Sequence, residues 1–390
     1  MRIWIVVLLA LLTGTGLAWA GELGETVAAP DLTQQLFEKL SVDEVNQYIA
    51  KMNSEMDGDL PGLSGKTALQ FATQGLPVHL ADLGQTIYLK LVKEFMQNLH
   101  LLGELIFLAV LCALLQNLQN SFEQSGIALL SYGVCFAFMS VLALHAFYNV
   151  VLVAKATVGS LVGFMEALLP LLLSLLTGVG AFTSAALFTP LMLFVVNVTS
   201  SLTQDVVLPL LFLTAVLECV NHLSDHYRLT NLAGLLKQSA MAILGLTLVI
   251  FVGIVTIQGV AGGVADGVTL RTAKFATATF IPVVGKMFAD TVEVVMGASL
   301  LLKNGIGIFG LFIIITLCTL PLVKMLSLII TIKLAGALVQ PLGDEKMSQC
   351  LNAMSNNLLL VFGAILVVTL MFFLVITMII GVGNMALTLR

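Results

Sequence analysis

Long uninterrupted runs of apolar residues, separated by short polar breaks, occupy most of this chain. They are continuous rather than alternating, which is typical of helices in lipid and not of barrel strands. About seven spans are expected, because Glu104 and Lys333 weaken two of the runs. Gln204 and Asp205 predict a hairpin between another two. The candidate runs are Leu101–Leu118, Ile127–Val153, Thr157–Thr177, Phe182–Leu202, Val206–Val220, Ala240–Gly262, Gly305–Leu322, Met325–Val339 and Leu358–Gly383.

The first 100 residues follow a different pattern. Residues 1–20 have a basic start, an apolar stretch and the triplet Ala18-Trp19-Ala20, which predict a signal peptide. An uncleaved anchor helix is the alternative. Residues 21–100 predict an acidic, helical, extracytoplasmic region with a capping box at Ser41–Glu44. Residues 101–390 then form a polytopic helical membrane domain. The fold class is therefore an all-α polytopic membrane protein.

Composition supports the membrane assignment. Hydrophobic residues make up 59% of the chain and charged residues 10%, with a mean hydropathy of +1.05. Soluble domains carry about 25% charged residues, so a soluble protein is excluded. The net charge of −5 comes mostly from residues 21–100, and no basic patch predicts nucleic-acid binding. The five cysteines show no CxxC spacing, so neither a disulfide framework nor a zinc site is indicated.

Few residues form a pattern that would indicate a metal site or a catalytic site. Glu218, His222 and His226 are spaced by four residues, which would place three metal-ligand types on one helix face. A polar helix end at the membrane surface explains the same spacing. No nucleotide-binding glycine motif or catalytic arrangement is present, so we expect neither an enzyme nor a cofactor.

Several charges lie inside or beside the apolar runs. A lone charge in hydrocarbon costs about 2.5–3.5 kcal/mol on insertion scales, so such side chains normally face other helices or water. Snorkelling to the headgroups is the alternative, and it is easiest for lysine. The candidates are Glu104, Lys155, Glu166, Asp205, Lys324 and Lys333.

The stretch Leu270–Asn304 is too charged for a simple span and too apolar for an ordinary loop. Pro282 and Gly285 predict a break within it. One interpretation is a membrane-embedded, re-entrant hairpin with a polar stripe that faces a passage; the other is an interfacial amphipathic helix. The stripe consists of Lys286, Asp290, Glu293 and Gly297.

A weak internal similarity relates residues 182–262 to residues 305–381 at a constant offset of 119 residues. In each part an acidic helix cap and a short amphipathic stretch precede an apolar run. Duplicated membrane units usually place the functional path at their interface. Coincidence between apolar segments is the alternative.

The stretch Leu270–Asn304 also resembles a known family. The residues that carry the resemblance are Leu270–Thr277, Thr279–Gly285, Met287–Thr291 and Ser299–Asn304. With the layout of signal peptide, acidic region and polytopic domain, they are similar to the stage III sporulation protein AE family of endospore-forming bacteria. The resemblance implies a subunit of the channel complex that links mother cell and forespore, in the mother-cell-derived outer forespore membrane. No catalytic or ligand residue is carried over.

The implied partners are membrane lipid and the other stage III A sporulation proteins, including a secretion-type ATPase and ring-forming components. Stage II sporulation protein Q would complete the channel across the intermembrane space. Two other functions fit the residues: a self-contained permease for small solutes, and a scaffold without a conducting path.

Overall fold

The computed structural model describes residues 47, 50, 80–121, 125–223, 229–280, 284–342 and 345–388, and these are helical almost throughout, without a strand. The predicted signal peptide and nearly all of residues 21–79 lie outside the described residues. The helices, in chain order, are α1 (Leu80–Ser121), α2 (Ser125–Gly178), α3 (Phe182–Ser201), α4 (Leu208–Leu223), α5 (Thr230–Phe280), α6 (Val284–Val339) and α7 (Glu345–Thr388). A π-helical turn (Leu202–Val207) joins α3 to α4, and a 3-10 turn (Gln340–Leu342) follows α6.

Six stretches of the described chain are long and apolar enough to cross a membrane, which confirms the all-α polytopic fold. The sequence predicted about seven spans, which is close to the six found. The two numbers differ because neighbouring apolar runs belong to one continuous helix. Ile127–Val153 and Thr157–Thr177 both belong to α2, because the intervening Ala-Lys-Ala residues favour a helix and the half-buried Lys155 does not interrupt it. The six stretches are Ile87–Leu115, Leu130–Gly178, Phe182–Leu223, Thr230–Thr269, Val294–Leu342 and Glu345–Asn384.

The predicted hairpin around Gln204 and Asp205 is wrong. The backbone continues from α3 through the π-helical turn directly into α4. The two polar residues are compatible with a helix and include neither Gly nor Pro. Gln204 Nε2 donates to Ser200 Oγ at 2.9 Å, and Thr203 Oγ1 donates to the Thr199 carbonyl oxygen at 2.8 Å. A π-helical turn inserts one extra residue and so changes the direction in which the following helix presents its side chains.

Helix α7 lies at the centre of the bundle, between α5 and α6, and packs along α2 and α4 as well. Helix α1 packs on α6 and α2, whereas α3 contacts α2 and α5. The interior is filled by leucine, isoleucine, valine, methionine and phenylalanine side chains. Large apolar residues also cover the outer surface, among them Phe138, Phe194 and Val249. Such a surface is stable in lipid.

Helices α5 and α7 pack side by side, and residues that are 119 positions apart in the sequence lie near each other. Gly259 is so close to Met378 that a Cβ there would overlap the methionine side chain. Gly234 and Ala353 also lie near each other, because both line one cleft. Both pairs are separated by 119 residues. The duplication itself remains a prediction.

Three helices contain long uncharged stretches. They are residues 238–265 of α5, 304–323 of α6 and 347–388 of α7. At about 1.5 Å per residue, the stretch in α6 measures about 30 Å, the thickness of a hydrocarbon core. In α5 and α6, Asp266 and Lys303 mark one end of the uncharged stretches, and Lys237 and Lys324 mark the other. We refer to these as the Lys303 end and the Lys237 end.

Candidate functional site

A buried carboxylate holds the tight turn between α2 and α3 at the Lys303 end. Gly180 adopts a positive φ of 90°, which glycine tolerates without strain. The next residue, Ala181, has no side chain that could cap α3. Asp266 of α5 replaces that cap: its carboxylate accepts from the Thr183 N–H at 2.8 Å and from the Ser184 N–H at 3.1 Å. The helix dipole also favours a negative charge at this position.

Lys303 is completely buried at the same end of the bundle. Its Nζ donates to the Ile380 carbonyl oxygen of α7 at 2.9 Å. Gly383 leaves room for the ammonium, because a Cβ there would overlap Nζ. The adjacent Asn304 donates through Nδ2 to Asn384 Oδ1 at 3.3 Å. A buried ammonium with one carbonyl partner costs stability, so it is a candidate functional group rather than a structural one.

A second polar group lies at the Lys237 end. Asn357 Nδ2 of α7 donates to the Glu218 carboxylate of α4 at 2.7 Å, and the Lys237 ammonium lies 4.0 Å from that carboxylate. His222 Nδ1 is 2.6 Å from the main-chain oxygen of Glu218. Glu218, His222 and Lys237 border an open cleft of about 440 Å³, which Asn356 of α7 also lines. Glu218 and His222 therefore bind partners within the chain, while His226 lies outside the described residues.

Two cysteines meet beside this group. Cys219 of α4 and Cys350 of α7 are buried, and their sulfur atoms are 2.8 Å apart. The Met354 thioether lies 3.9 Å from the Cys219 sulfur. Both cysteines are reduced here. The thiol pair joins α4 to α7 near the contact between Glu218 and Asn357, since Cys219 follows Glu218 directly and Cys350 precedes Asn357 by about two turns.

Glu166 of α2 faces outward in the middle of the apolar belt. Asn197 Nδ2 of α3 donates to its carboxylate at 3.1 Å and also to the Leu193 carbonyl oxygen at 3.0 Å. Both side chains are exposed on the outer surface. A carboxylate in this position is costly in lipid, at about 2.5–3.5 kcal/mol on insertion scales.

Most of the other predicted intramembrane charges are exposed as well. Asp205, Lys324 and Lys333 all lie on the outer surface, and Lys155 is half-buried there. Glu104 is also exposed, with its carboxylate 3.3 Å from His100 Nδ1 on the same helix. The lysines can reach the headgroups, whereas the shorter carboxylates cannot do so as easily.

The predicted stripe in Leu270–Asn304 falls on the first part of α6. Helix α5 ends at Phe280 and α6 begins at Val284, so residues 281–283, which include Pro282, separate the two helices and lie outside the described residues. The side chains of Lys286, Asp290 and Glu293 also lie outside the described part. Gly297 is half-buried, with open space at the position of a Cβ.

Sequence reasoning missed the roles of Asp266, Lys303 and Asn357. Lys303 was not singled out within the stretch Leu270–Asn304, and Asn357 carries no charge. Asp266 binds residues 83 positions earlier in the chain, and such a partner is invisible to local patterns. The available signal was that Asp266 and Lys303 stand at the ends of otherwise uncharged runs.

Comparisons with known proteins supply a family. No solved structure matches the chain. The chain is 37% identical over 393 aligned positions to stage III sporulation protein AE of Bacillus subtilis (strain 168), covering 99% of this chain and 98% of that protein. The sequence profile of the family described as stage III sporulation protein AE matches residues 64–383. This chain therefore belongs to the stage III sporulation protein AE family and is a multi-pass membrane protein with a role in sporulation.

Proposed function

We propose that the protein is a membrane subunit of a multiprotein, secretion-like channel complex that links mother cell and forespore. It acts in the mother-cell-derived outer forespore membrane and has no catalytic activity of its own. The observation that carries this proposal is family membership over essentially the whole chain. The partners are the other stage III A proteins, including the secretion-type ATPase and the ring-forming components, with stage II sporulation protein Q across the intermembrane space.

The packing of the bundle favours a subunit over a self-contained permease. Apolar side chains fill the interior of the described part, and the strongest polar contacts lie at its two ends. A solute path through one chain would need polar groups along its length. The cleft beside Glu218 and Lys237 is the feature that fits a permease, but it opens at one end of the bundle only.

Deletion of the gene in a spore former tests the role directly. We expect sporulation and late forespore transcription to fail, and a copy of the gene at another locus to restore both. Normal sporulation in the deletion strain would contradict the proposal. Solute uptake into liposomes that contain the purified protein alone would instead establish the permease.

A further inference from the structure

The outward-facing pair of Glu166 and Asn197 lies near the midplane of the apolar belt. A Cβ on Gly310 would meet the side chain of Leu168, so this part of α2 is level with Gly310. Gly310 lies about 10 Å from Lys303 and about 21 Å from Lys324 along α6. Because Glu166 precedes Leu168 by two residues, it lies about 3 Å further from the Lys303 end, so both headgroup regions are more than about 10 Å away. A glutamate side chain cannot span that distance, so snorkelling does not relieve Glu166.

The hydrogen bonds within the chain use only part of the hydrogen-bonding capacity of Glu166 and Asn197. Asn197 uses its amide nitrogen for the Glu166 carboxylate and for the Leu193 carbonyl oxygen. A carboxylate can accept about four hydrogen bonds, and Glu166 accepts this one from Asn197 within the described residues. In the same part of the chain, no basic side chain comes within ion-pair distance of Glu166 or Asp205.

The surface around the pair is suited to a close helix contact. On α2, Gly159 has open space at the position of a Cβ, and Gly163 follows it by four residues. On α3, Asn197 is followed at intervals of four by the exposed Ser201 and Asp205. Small residues let two membrane helices approach closely, and polar side chains then hydrogen-bond between them. The Glu166 surface consists of Gly159, Gly163, Glu166, Asn197, Ser201 and Asp205.

We propose that the Glu166 surface binds a transmembrane helix of a different protein, and that this helix carries a hydrogen-bond donor such as lysine, arginine or asparagine at mid-depth. The inference rests on the proposed function, because it names a contact within a multiprotein complex. Charge complementarity supports it, since two exposed side chains at this site, Glu166 and Asp205, are acids.

A second copy of this chain is a poorer occupant. Two copies inserted the same way and related by a two-fold axis would place Glu166 opposite Glu166. Lys155 is the nearest basic residue on the same helix, about 16 Å away along its axis. It lies at a different depth and would meet Glu166 of another copy only if the copies were displaced along the membrane normal.

Photo-crosslinking in sporulating cells tests the inference. Phe194 is exposed on α3, three residues before Asn197, so the additional benzoyl group of the photoreactive p-benzoylphenylalanine would project outward from this position. Phe138, an exposed aromatic residue elsewhere on α2, provides the matched control. We expect an adduct with a second membrane protein from position 194 and not from position 138.

Glu166→Leu should reduce that adduct by about tenfold, the factor that about 1.4 kcal/mol makes in a binding constant. The abundance and thermal midpoint of the Glu166→Leu protein should stay at or above those of the wild type, because the substitution removes a charge from lipid. If Glu166→Leu does not accumulate, Glu166→Gln keeps the shape and should still weaken the adduct.

An adduct between two copies of this chain would overturn the proposal, as would an adduct that the Glu166 variants leave unchanged. Labelling of lipid alone, together with normal sporulation of the Glu166→Leu strain, would also overturn it. Failure of the proposed function is distinguishable, because it would appear as normal sporulation of the gene deletion itself.

Discussion

Asp266 shows how one residue can stabilise a helix that lies far away in the sequence. The start of α3 has no cap of its own, and Asp266 accepts from its first free N–H groups. The carboxylate is fully buried. Removal of the acceptor therefore leaves donors that water cannot easily reach.

We predict that Asp266→Ala lowers stability by about 1–3 kcal/mol, the cost of leaving buried donors without an acceptor. The measurement is the thermal midpoint of the purified protein in detergent. Asp266→Asn keeps one acceptor but loses the charge, so its decrease should be smaller. Asp205→Asn, at an exposed position, is the matched control. An Asp266→Ala protein as stable as the wild type would contradict the capping role.

Lys303 leads to the opposite expectation for stability. Replacement of a buried charge by an apolar side chain of similar length is often neutral or stabilising. We predict that Lys303→Met has an unchanged or higher thermal midpoint in detergent and a lower sporulation frequency, because the ammonium is retained for function. Lys333→Met, at an exposed position, should leave both unchanged. A large loss of stability in Lys303→Met would show instead that the hydrogen bond to Ile380 is structural.

At the scale of the elements, α4 and α7 are joined by the contacts of Glu218 with Asn357 and of Cys219 with Cys350. We predict that a mild oxidant such as diamide converts this thiol pair into a disulfide in isolated membranes, since the sulfur atoms are 2.8 Å apart. Mass spectrometry of the linked peptides is the measurement. Cys318, whose sulfur lies 3.0 Å from Thr369 Oγ1, should stay unlinked. Absence of the linked peptides would contradict the packing of α4 on α7.

The helices could be predicted from the sequence because their apolar runs are continuous, but where one helix ends could not. Lys155 and Gln204 interrupt the hydropathy without breaking the backbone, so α2 and the joined α3 and α4 are longer than the runs suggest. Glu166 was predicted as an intramembrane charge from its neighbours alone. Its partner Asn197 belongs to the next helix, and only the antiparallel packing of α2 and α3 brings the two together.

At the scale of the whole molecule, the uncharged stretches of α5, α6 and α7 determine which part lies in the membrane. The stretches of α5 and α6 end at Asp266 and Lys303. Each is already long enough to cross the hydrocarbon core. Helix α5 nevertheless continues to Phe280, and α6 begins at Val284. The additional turns extend about 20–30 Å along the helix axes, beyond the apolar belt.

This geometry favours the interfacial interpretation of Leu270–Asn304 over the embedded one. We predict that single cysteines introduced between Thr272 and Val294, in a protein whose native cysteines are replaced, react with a membrane-impermeant thiol reagent in membranes opened so that the reagent reaches both faces. Cysteines at Ile308 and Ile315, exposed to lipid within the uncharged part of α6, should not react. Labelling restricted to positions 286, 290, 293 and 297 would indicate instead a water-lined helix within the membrane. Because hydrocarbon excludes the charged reagent, uniform labelling would place the segment in water, where partner proteins can reach it.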